Sequence, residues 1–511
     1  MQRIIVLLAS FLLTIFSVSA QELQGVCGNT YADQMSQMKH YLKNLRLTQT
    51  QPAKRRDATT YIPIQFIIVT RNNGTGGVKM IDVLEQQCLL NEVFGAFDMI
   101  FYQIEEPLVV ANDVIFTNQN STSAQFAMRQ RRNAQALNVW IVETASPRGT
   151  VVEGGTVLGY WDIPNDWIVI RKGRISGDNV GTLAHEIGHF FSLMHPHLGW
   201  ESEPYSVGQH GNPVTATAPD GRATELVDGS NCETTGDLLC DTPPDYNFGF
   251  TAPSCTYSGQ VQDPNGDLVD PDESLTMSYF RDECLTSFSP TQVEMMLTDL
   301  GSSRRNFLTR NNYVPIAEII TEETTLLSPI NSEETSSFNK VKLEWTAVEG
   351  ANRYFVEVDR SSTFSQDNFK FIVNTNSILL EDVLEAGKNY RWRVTPYNPS
   401  YTCVPTSSVE RFRTSLSTSV PTIETVDNWT IQPNPISENE TLTLQVSAKK
   451  AFKATVNVYN LTGQLLTSQV DVAFGQGRSI VQIDKGNLTK GIYFVSLENE
   501  EGILNKKVVV Q

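Results

Sequence analysis

Basic side chains are scarce in this 511-residue sequence. It holds 39 Lys and Arg residues against 57 Asp and Glu residues, which gives a formal net charge of -18 at pH 7. Proteins that bind nucleic-acid phosphates normally present a basic face, so this balance argues against a nucleic-acid partner. After residue 20, no apolar run reaches the roughly 20 residues that span a bilayer. Low-complexity tracts are missing as well, and a chain of this length predicts about three globular domains.

The strongest apolar run lies at the start of the sequence. Arg3 precedes the apolar residues 4–16, and residues 18–20 read Val-Ser-Ala before a polar stretch. This order is typical of a secretory signal peptide that is cleaved after Ala20. A membrane anchor is the alternative, but it would need a longer apolar run and a stop-transfer flank. The sequence therefore predicts a signal peptide over residues 1–20 and a mature, exported chain without a transmembrane segment.

Residues 21–57 are polar and contain one predicted helix, YADQMSQMKHYLKNL, before a basic cluster at Lys54, Arg55 and Arg56. A short segment that ends at a basic, cleavage-like site is typical of a pro-segment. A solvated helix that leads into the next domain fits the composition equally well.

Residues 58–312 contain alternating strand and helix patterns. YIPIQFIIVT, LNVWIVET and DWIVIR are apolar and β-branched and predict strands, whereas residues 78–104 repeat apolar side chains at helical spacing and predict one long helix. Another helix is predicted from about Val180 through AHEIGHFF. A region rich in Gly, Pro and Asp then continues to residue 275, and a loop of that length is usually functional or held by disulfides or ions.

Four of the six histidines lie within residues 184–197, AHEIGHFFSLMHPH. His185 and His189 are four residues apart, so a helix presents both imidazoles on one face, with Glu186 beside them. Two neutral imidazoles that bind a metal, and a carboxylate that takes a proton from water, are parts of a zinc hydrolase site. Two surface histidines on an amphipathic helix are the alternative for these residues alone.

His195 cannot share that helical face, because it lies six residues after His189. The helix must end near Ser192 and the chain must turn back for His195 to become the third ligand. Pro196 favours this turn, since the residue before a proline is displaced from the α region. Three imidazoles and a water make the open tetrahedral site of a catalytic zinc. His197 belongs to no motif, and we expect it at the rim or surface of the site.

The pattern H-E-x-x-H-x-x-G-x-x-H from His185 to His195 resembles that of the metzincin metallopeptidases, with Ser192 in place of the usual glycine. That glycine takes a left-handed conformation, which costs a serine about 1–2 kcal/mol. The resemblance implies an α+β metzincin-type catalytic domain and a zinc cofactor held by the three histidines. It also implies that Glu186 is the general base of peptide-bond hydrolysis.

Three later stretches follow the zinc motif: GDLLCDTPPD, SLTMSYF and CLTSFSPTQVEMM. With it they resemble the pappalysin family of metzincins over about residues 60–300. This resemblance implies that Met277 forms a hydrophobic floor beneath the metal and that the Tyr279 hydroxyl stabilises the transition state. It also implies bound calcium, although aspartates are common in turns without an ion. The candidate calcium ligands are Asp237, Asp241 and Asp245.

Seven cysteines in an exported chain allow disulfides and leave one thiol over. The cysteines of the long loop suggest two pairs by their order, and the remaining three stay open. The expected pairs are Cys232 with Cys240 and Cys255 with Cys284, and the open residues are Cys27, Cys88 and Cys403.

Cys27 lies in GVCGNT, ahead of the catalytic domain. A thiolate is a good zinc ligand, and pappalysin-like precursors carry a Cys-Gly motif that occupies the open metal position until processing. The resemblance therefore implies a cysteine switch at Cys27. A disulfide between Cys27 and Cys88 is the alternative.

Two β-sandwich domains are predicted after the catalytic domain, because short strands with alternating apolar residues and turn residues fill both regions. In residues 314–416, LEWTAVEGANRYFVEV and the stretch 387–394 resemble the fibronectin type III family. In residues 426–511, IQPNP, VNVYNLTGQLL and KGIYF, with the terminal KKVVVQ, resemble the C-terminal sorting domain of the type IX secretion system of Gram-negative bacteria. The second resemblance implies that the type IX machinery is a partner and that the chain passes the periplasm and outer membrane.

These features together predict a secreted or cell-surface, zinc-dependent endopeptidase that acts on protein or peptide substrates. A surface binding or adhesion protein with an inert peptidase domain is one alternative, but the intact zinc motif argues against it. A zinc amidase or other hydrolase of a non-peptide substrate is the second alternative.

Overall fold

The computed structural model describes residues 26–29, 31–50, 59–117, 121–145, 157–175, 177, 180–252, 254–309, 319–365, 369–417, 423–437, 440–486 and 488–511. The expected signal peptide and the basic cluster at residues 54–56 lie outside these ranges. Contacts divide the chain into two units. Unit 1 comprises residues 1–323, 348–354 and 395–406, and unit 2 comprises residues 324–347, 355–394 and 407–511. The expected domain boundaries at residues 312–314 and 416–426 stay predictions.

Unit 1 is an α/β structure. Its strands are β1 (Val26–Cys27), β2 (Thr60–Thr70), β3 (Met99–Gln103), β4 (Leu108–Ala111), β5 (Leu137–Val142), β6 (Val157–Asp162) and β7 (Trp167–Arg171). Its helices are α1 (Tyr31–Thr50), α2 (Met80–Gly95), α3 (Asp113–Phe116), α4 (Thr122–Arg129), α5 (Gly181–Phe190), α6 (Val207–His210), α7 (Pro290–Leu300) and α8 (Asn306–Thr309). Short 3-10 segments cover Lys172–Arg174, Phe248–Thr251, Asp282–Cys284 and Ser303–Arg305.

The strands of unit 1 form one mixed sheet in the order β1-β6-β7-β5-β2, and β3 and β4 both pair with the remaining edge of β2. The strands pair in parallel except for β6 and β7, which are antiparallel. The strand β1 precedes the expected catalytic domain in sequence and lies at the edge of β6.

Both faces of this sheet are buried, so β2 is apolar along almost its whole length rather than alternating. On one face, Ile62 and Ile64 of β2 pack in a core with residues of α2, α5 and α7. On the other face, Ile67 and Val69 pack with Phe116 and its neighbours from α3 and α4. Helix α5 is thereby fixed against the sheet.

The prediction of a single long helix over residues 78–104 is wrong for the second half of that range. Helix α2 ends at Gly95, and Met99–Gln103 form strand β3 beside β2. Asp98 between them has a φ of 58°, which no α-helix accommodates. The apolar residues of MIFYQ are buried at almost every position, and that run satisfies helical spacing as well as a strand pattern.

Unit 2 is built from strands. They are β8 (Leu326–Ser328), β9 (Glu333–Glu334), β10 (Lys340–Trp345), β11 (Arg353–Asp359), β12 (Phe369–Val373), β13 (Ser377–Glu381), β14 (Asn389–Tyr397), β15 (Glu410–Arg413), β16 (Val426–Gln432), β17 (Thr443–Ala448), β18 (Phe452–Asn460), β19 (Leu465–Phe474), β20 (Gly477–Gln482), β21 (Gly491–Asn499) and β22 (Gly502–Val510). The ends of β11 and β14 reach into residues that contacts assign to unit 1.

Strands β8–β15 form a three-stranded sheet, β13-β10-β8, and a five-stranded sheet, β12-β11-β14-β15-β9. Strands β16–β22 form a three-stranded sheet, β16-β17-β20, and a four-stranded sheet, β19-β18-β21-β22. Every second side chain along β10 and β17 is buried, as expected of strands with one face in a core. Of the helices that the structure describes, none combines the length and the apolar character that crossing a membrane requires.

Candidate metal centre

Helix α5 presents the histidine pair at the centre of unit 1. Every residue of α5 is buried, and the ring centroids of His185 and His189 lie 4.8 Å apart on one side of the helix. Gly188 between them is required by a close contact, because a Cβ there would collide with Sδ of Met277. The sulfur of Met277 thus lies directly against the helix that carries the imidazoles.

The chain turns away from the helix after Phe190. Ser192 has a φ of 70°, the left-handed conformation expected at this turn. The turn is closed by hydrogen bonds from the amide of Ser192 to the carbonyl of His189 and from the amide of Leu193 to the carbonyl of Gly188. His195 is thereby returned to the face that the first two histidines share.

Three ring nitrogens meet at one point. Nε2 of His195 lies 3.1 Å from Nε2 of His185 and 3.0 Å from Nε2 of His189. The other nitrogens of the first two rings, Nδ1, contact the carbonyl oxygens of Thr276 at 2.7 Å and Leu193 at 2.9 Å. A carbonyl only accepts, so both rings carry their proton on Nδ1 and turn a bare Nε2 toward the meeting point.

This arrangement fits a cation. Burial lowers the pKa of each of the three imidazoles, to about 4 for His189, so the rings are neutral near pH 7. One proton on Nε2 of His195 could serve only one of the two bare acceptors that face it. A metal ion at the meeting point would satisfy all three nitrogens, and three imidazoles are a donor set that suits zinc.

Cys27 and Glu186 complete the group. The Sγ atom of Cys27 and the metal-facing nitrogens of the three histidines all lie within 4.8 Å of one another. The thiol of Cys27 also faces Oε2 of Glu186 at 3.5 Å. Burial is the main reason that the pKa of Glu186 rises to about 8 and that the pKa of the Cys27 thiol rises.

Tyr279, two residues after Met277, lies over the histidines. Its ring centroid is 4.7 Å from that of His195 and 5.9 Å from that of His185. Desolvation, followed by the nearby acidic groups, raises the pKa of Tyr279 well above its ordinary value. The hydroxyl of Tyr279 is therefore protonated throughout the neutral range and can act as a donor.

His197 is not at the rim or surface, and that expectation is wrong. Its side chain is fully buried, and its ring stacks on that of His195 at a centroid distance of 4.6 Å. It also lies 4.4 Å from the ring of Tyr279 and 3.8 Å from Oδ2 of Asp245. Residues 195–198 form a turn, closed by the amide of Leu198 on the carbonyl of His195, and this turn keeps the ring of His197 next to that of His195.

Helix α1 of the expected pro-segment contacts both the metal centre and the elements around it. Gln34 reaches Nδ1 of His195 at 3.0 Å, and Asn44 donates to Oδ1 of Asp299 on α7 at 2.9 Å. Tyr41 is fully buried and donates to the carbonyl of Asp237. A helix with these contacts is packed into unit 1, in contrast to the solvated helix that was the alternative.

The strand β1 adds to the sheet at the edge of β6. The amide of Gly28 donates to the carbonyl of Gly159 at 2.8 Å. One residue further, the Asn29 side chain replaces a backbone pairing: its Nδ2 donates to the carbonyl of Trp161 at 2.8 Å, and its Oδ1 accepts from the amide of Trp161 at 2.9 Å. An extended segment thus lies beside β6 with Cys27 at the histidines.

The structure joins six of the seven cysteines. Cys88 pairs with Cys403, and Cys27 is free, so the alternative disulfide between Cys27 and Cys88 is wrong. The two remaining pairs are those suggested by order in the long loop, Cys232 with Cys240 and Cys255 with Cys284.

The structure gives no support for calcium at the aspartates of the long loop. Oδ1 of Asp237 accepts from Thr242 and Leu239, and the carboxylate of Asp241 accepts from Ser289 and Thr291 at the start of α7. Around these aspartates, the described residues do not bring together three side chains of His, Cys, Asp or Glu that could hold a metal ion. Asp245 accepts instead from Ser278 and from the amide of Phe248.

Several residues at this centre carry no signal in the sequence. Two of them, Asn29 and Gln34, come from the segment before the catalytic domain, and the third, Glu201, comes from the loop after the zinc motif. No spacing rule predicts their positions. His197 lies two residues after His195, so its nearness to the site was visible in the sequence but its burial was not. The other three are set by tertiary packing.

Residues 430–511 match the model of the secretion system C-terminal sorting domain. The chain carries this sorting domain. The sorting domain assigns the protein to export, to the cell surface or the extracellular space. It comprises the sheets formed by β16–β22.

The chain is 31% identical over 164 residues to an extracellular metalloprotease of Colletotrichum graminicola, covering 30% of this chain and 55% of that protein. The chain thus spans about half the length of this relative. Among solved structures, it is similar to a promirolysin mutant of Tannerella forsythia, with 16% identity, 53% of this chain and 90% of that chain covered, and a TM-score of 0.35. It is also similar to the FN1–FN3 domains of chicken CNTN1, with 13% identity, 39% and 68% coverage, and a TM-score of 0.18.

Proposed function

We propose that the protein is an exported, zinc-dependent endopeptidase that is made as a precursor. The observation that carries this proposal is the meeting of three neutral imidazoles through Nε2, next to the carboxyl group of Glu186. The similarity to an extracellular metalloprotease supports the same class of activity.

His185, His189 and His195 would hold zinc through Nε2. Bound zinc supplies a Lewis acid that polarises a peptide carbonyl and favours the ionisation of water at neutral pH. Met277 closes the floor beneath the imidazoles, where its sulfur packs against Gly188 and excludes water. The fully buried position of His195 keeps its ring in one orientation.

Glu186 is the proposed general base and acid. It accepts a proton from the attacking water and later delivers that proton to the amine that leaves. Burial raises its pKa to about 8, which favours the form that holds the proton between the two transfers. Oε1 of Glu186 is buried without a hydrogen-bond partner, so it is available for this exchange.

Tyr279 is the proposed second catalytic group. Its hydroxyl keeps its proton at neutral pH, because desolvation raises its pKa. It would donate that proton in a hydrogen bond to the oxygen of the peptide carbonyl as negative charge develops there.

The edge of β6 that β1 covers is the proposed substrate-binding edge. In the precursor, Val26–Cys27 and Asn29 pair with this edge through backbone and amide hydrogen bonds. A substrate peptide would take the same place after the pro-segment leaves, since main-chain pairing at a sheet edge recognises any extended peptide. This mode suits a protein or peptide substrate better than a non-peptide amide.

Cys27 is the proposed switch that keeps the precursor inactive. Its Sγ atom lies within the group of histidines and is the one free thiol among the described cysteines. A thiolate there would fill the fourth zinc position, which the catalytic water needs. Cleavage within residues 51–58 would separate this segment from the rest of the catalytic domain.

The type IX secretion machinery is the proposed partner of residues 430–511. The sorting domain forms its own core, with buried residues that include Leu444, Val458 and Val508. It can therefore be recognised as a folded module while the peptidase is still in its precursor form.

The test is a digest of casein by the processed protein and by two variants. The control variant is Glu233→Ala, which alters an exposed residue. We expect the wild type and this control to cleave casein, and we expect a chelator to abolish the cleavage. Glu186→Ala should retain zinc and lose at least 1,000-fold in rate, of the order seen when central catalytic groups are removed. A wild type without chelator-sensitive cleavage would instead support an inert, adhesive protein, and cleavage of small amides but not casein would support an amidase.

A further inference from the structure

The three histidines differ in what holds the ring nitrogen that faces away from the metal. Nδ1 of His185 contacts the carbonyl of Thr276 at 2.7 Å, and Nδ1 of His189 contacts the carbonyl of Leu193 at 2.9 Å. Each carbonyl fixes the proton on Nδ1 and aims Nε2 at the metal position.

His195 has a different partner at Nδ1. There the contacts are the side-chain nitrogen of Gln34 at 3.0 Å and Oε1 of Glu201 at 3.6 Å. The same nitrogen of Gln34 donates to Oε1 of Glu201 at 3.3 Å. The amide nitrogen of the pro-segment therefore lies beside both the imidazole and the carboxylate, within hydrogen-bond distance of each.

We propose that Glu201 is the positioning residue of His195, and that Gln34 of the pro-segment competes with this pairing by placing its amide nitrogen next to both groups. This inference rests on the proposed zinc site. An amide NH2 group cannot accept a proton, so Gln34 favours the form of His195 whose proton lies on Nε2, where the metal would bind. A carboxylate at Nδ1 favours the opposite form, in which Nε2 is free.

Glu201 is prepared for this role. Its side chain is 8% exposed, and its second oxygen, Oε2, accepts a hydrogen bond of 2.9 Å from the amide of Gly199. The intervening turn is fixed by the amide of Leu198, which donates to the carbonyl of His195. When Gln34 leaves, Oε1 needs to move by less than about 1 Å to reach the length of an ordinary hydrogen bond to Nδ1.

The release of the pro-segment would then act on the metal centre twice. It removes Cys27 from the fourth zinc position. It also lets the carboxylate of Glu201 accept from Nδ1 of His195, which makes the imidazole a more basic ligand. The first effect exposes the zinc, and the second tightens its attachment.

Zinc affinity is the measurement that tests this proposal, by competition with a chromophoric chelator on the full precursor and on the processed protein. In the processed protein, we expect Glu201→Ala to weaken zinc binding by about 10–100-fold, the usual effect of removing such a partner. Glu201→Gln should lie between this variant and the wild type, because an amide oxygen still accepts. The matched control is Glu203→Gln, which alters a half-exposed carboxylate beside His210 on the same segment and should change nothing.

The precursor provides the second comparison. There, Glu201→Ala should change zinc affinity less than in the processed protein, because Gln34 already occupies Nδ1 of His195. Adding Gln34→Ala to the precursor should restore the full dependence on Glu201. The d–d spectrum of the cobalt-substituted proteins reports the ligand geometry independently of activity.

The outcomes separate this proposal from the zinc site itself. Wild-type affinity in both processed Glu201 variants, together with loss of zinc in His195→Ala, would overturn the role of Glu201 alone. Wild-type affinity in His195→Ala would overturn the proposed zinc site. If thermal denaturation shows that Glu201→Ala is unfolded, Glu201→Gln decides, since it keeps an oxygen for Gly199.

Discussion

The hydroxyl of Ser192 donates a hydrogen bond of 3.2 Å to Oδ1 of Asp299. The other oxygen of that carboxylate accepts from Nε of Arg305 at 2.8 Å, and Arg305 in turn lies 3.6 Å above the ring of Phe190, the last residue of α5. A serine in the left-handed region is strained. Its side chain ties the turn that carries His195 to a buried ion pair, which offsets the strain.

Substitutions at Ser192 separate the strain from the hydrogen bond. Ser192→Ala keeps the strained φ and loses the bond, and we expect a loss of about 1.5–3 kcal/mol in the free energy of unfolding, the value of a hydrogen bond to a charged group. Ser192→Gly loses the same bond but relieves about 1 kcal/mol or more of strain, so it should be the more stable of the two variants. Denaturant titration followed by tryptophan fluorescence measures both. Equal stability of the two variants would contradict this account of the turn.

Replacement of Cys27 tests the switch. In the full precursor, Cys27→Ala should raise the rate of casein cleavage by at least about 10-fold, because the fourth zinc position is no longer filled by a thiolate. The processed protein lacks this residue and serves as the upper limit for the rate. Cobalt substitution provides an independent readout, since a thiolate-to-cobalt absorption band in the wild-type precursor should disappear in the variant. An identical spectrum in the two precursors would show that Cys27 is not a ligand.

Removal of one oxygen atom tests Tyr279. Tyr279→Phe keeps the ring that packs against His195 and His197, but it removes the donor to the developing oxyanion. We expect kcat to fall by about 100–1,000-fold, as for other oxyanion donors, while KM and the zinc content stay close to those of the wild type. A change in KM alone would assign Tyr279 to substrate binding.

Asp237 makes the stability of the protein depend on pH. Burial raises its pKa to about 7, above the ordinary value near 4, so the folded state keeps a proton that the unfolded state has lost. The stabilising contribution of protonated Asp237 to the free energy of unfolding is therefore fully present below pH 4 and is lost as the pH rises to 7. Asp237→Asn copies the protonated form, and its Tm should rise relative to the wild type as the pH increases from 5 to 8.

The same pair of proteins tests calcium. A calcium ion at Asp237 would need the ionised carboxylate, so added Ca2+ should then raise the Tm of the wild type at pH 8 and leave Asp237→Asn unchanged. An equal response of both proteins, or none, would remove Asp237 as a ligand.

The sequence predicts the parts of this molecule whose signals are local. The spacing of His185 and His189 follows from the helical period, and the strands of unit 2 alternate visibly along the chain. A turn near Ser192 follows from the position of His195, and its left-handed conformation was implied by the resemblance to the metzincin pattern, whose glycine Ser192 replaces. Helix α2 was extended too far, since the buried strand Met99–Gln103 has no polar face by which to recognise it.

The parts that could not be predicted depend on distant packing. Asp299 accepts the hydrogen bond of Ser192 from 107 positions further along the chain, and Cys88 pairs with a cysteine 315 residues away. His197 was misplaced because a short motif gives no information about burial. Its ring lies in the interior only because Tyr279 and Asp245, from two other loops, close over it.

The disulfide between Cys88 and Cys403 has a consequence for how the protein is handled. A single cut of the backbone anywhere between these two cysteines produces fragments that remain covalently joined. On a non-reducing gel, such a clipped molecule would migrate as one species, and only a reductant would separate it into two bands. Electrophoresis of the exported protein therefore reports internal nicking only when run with and without reductant side by side.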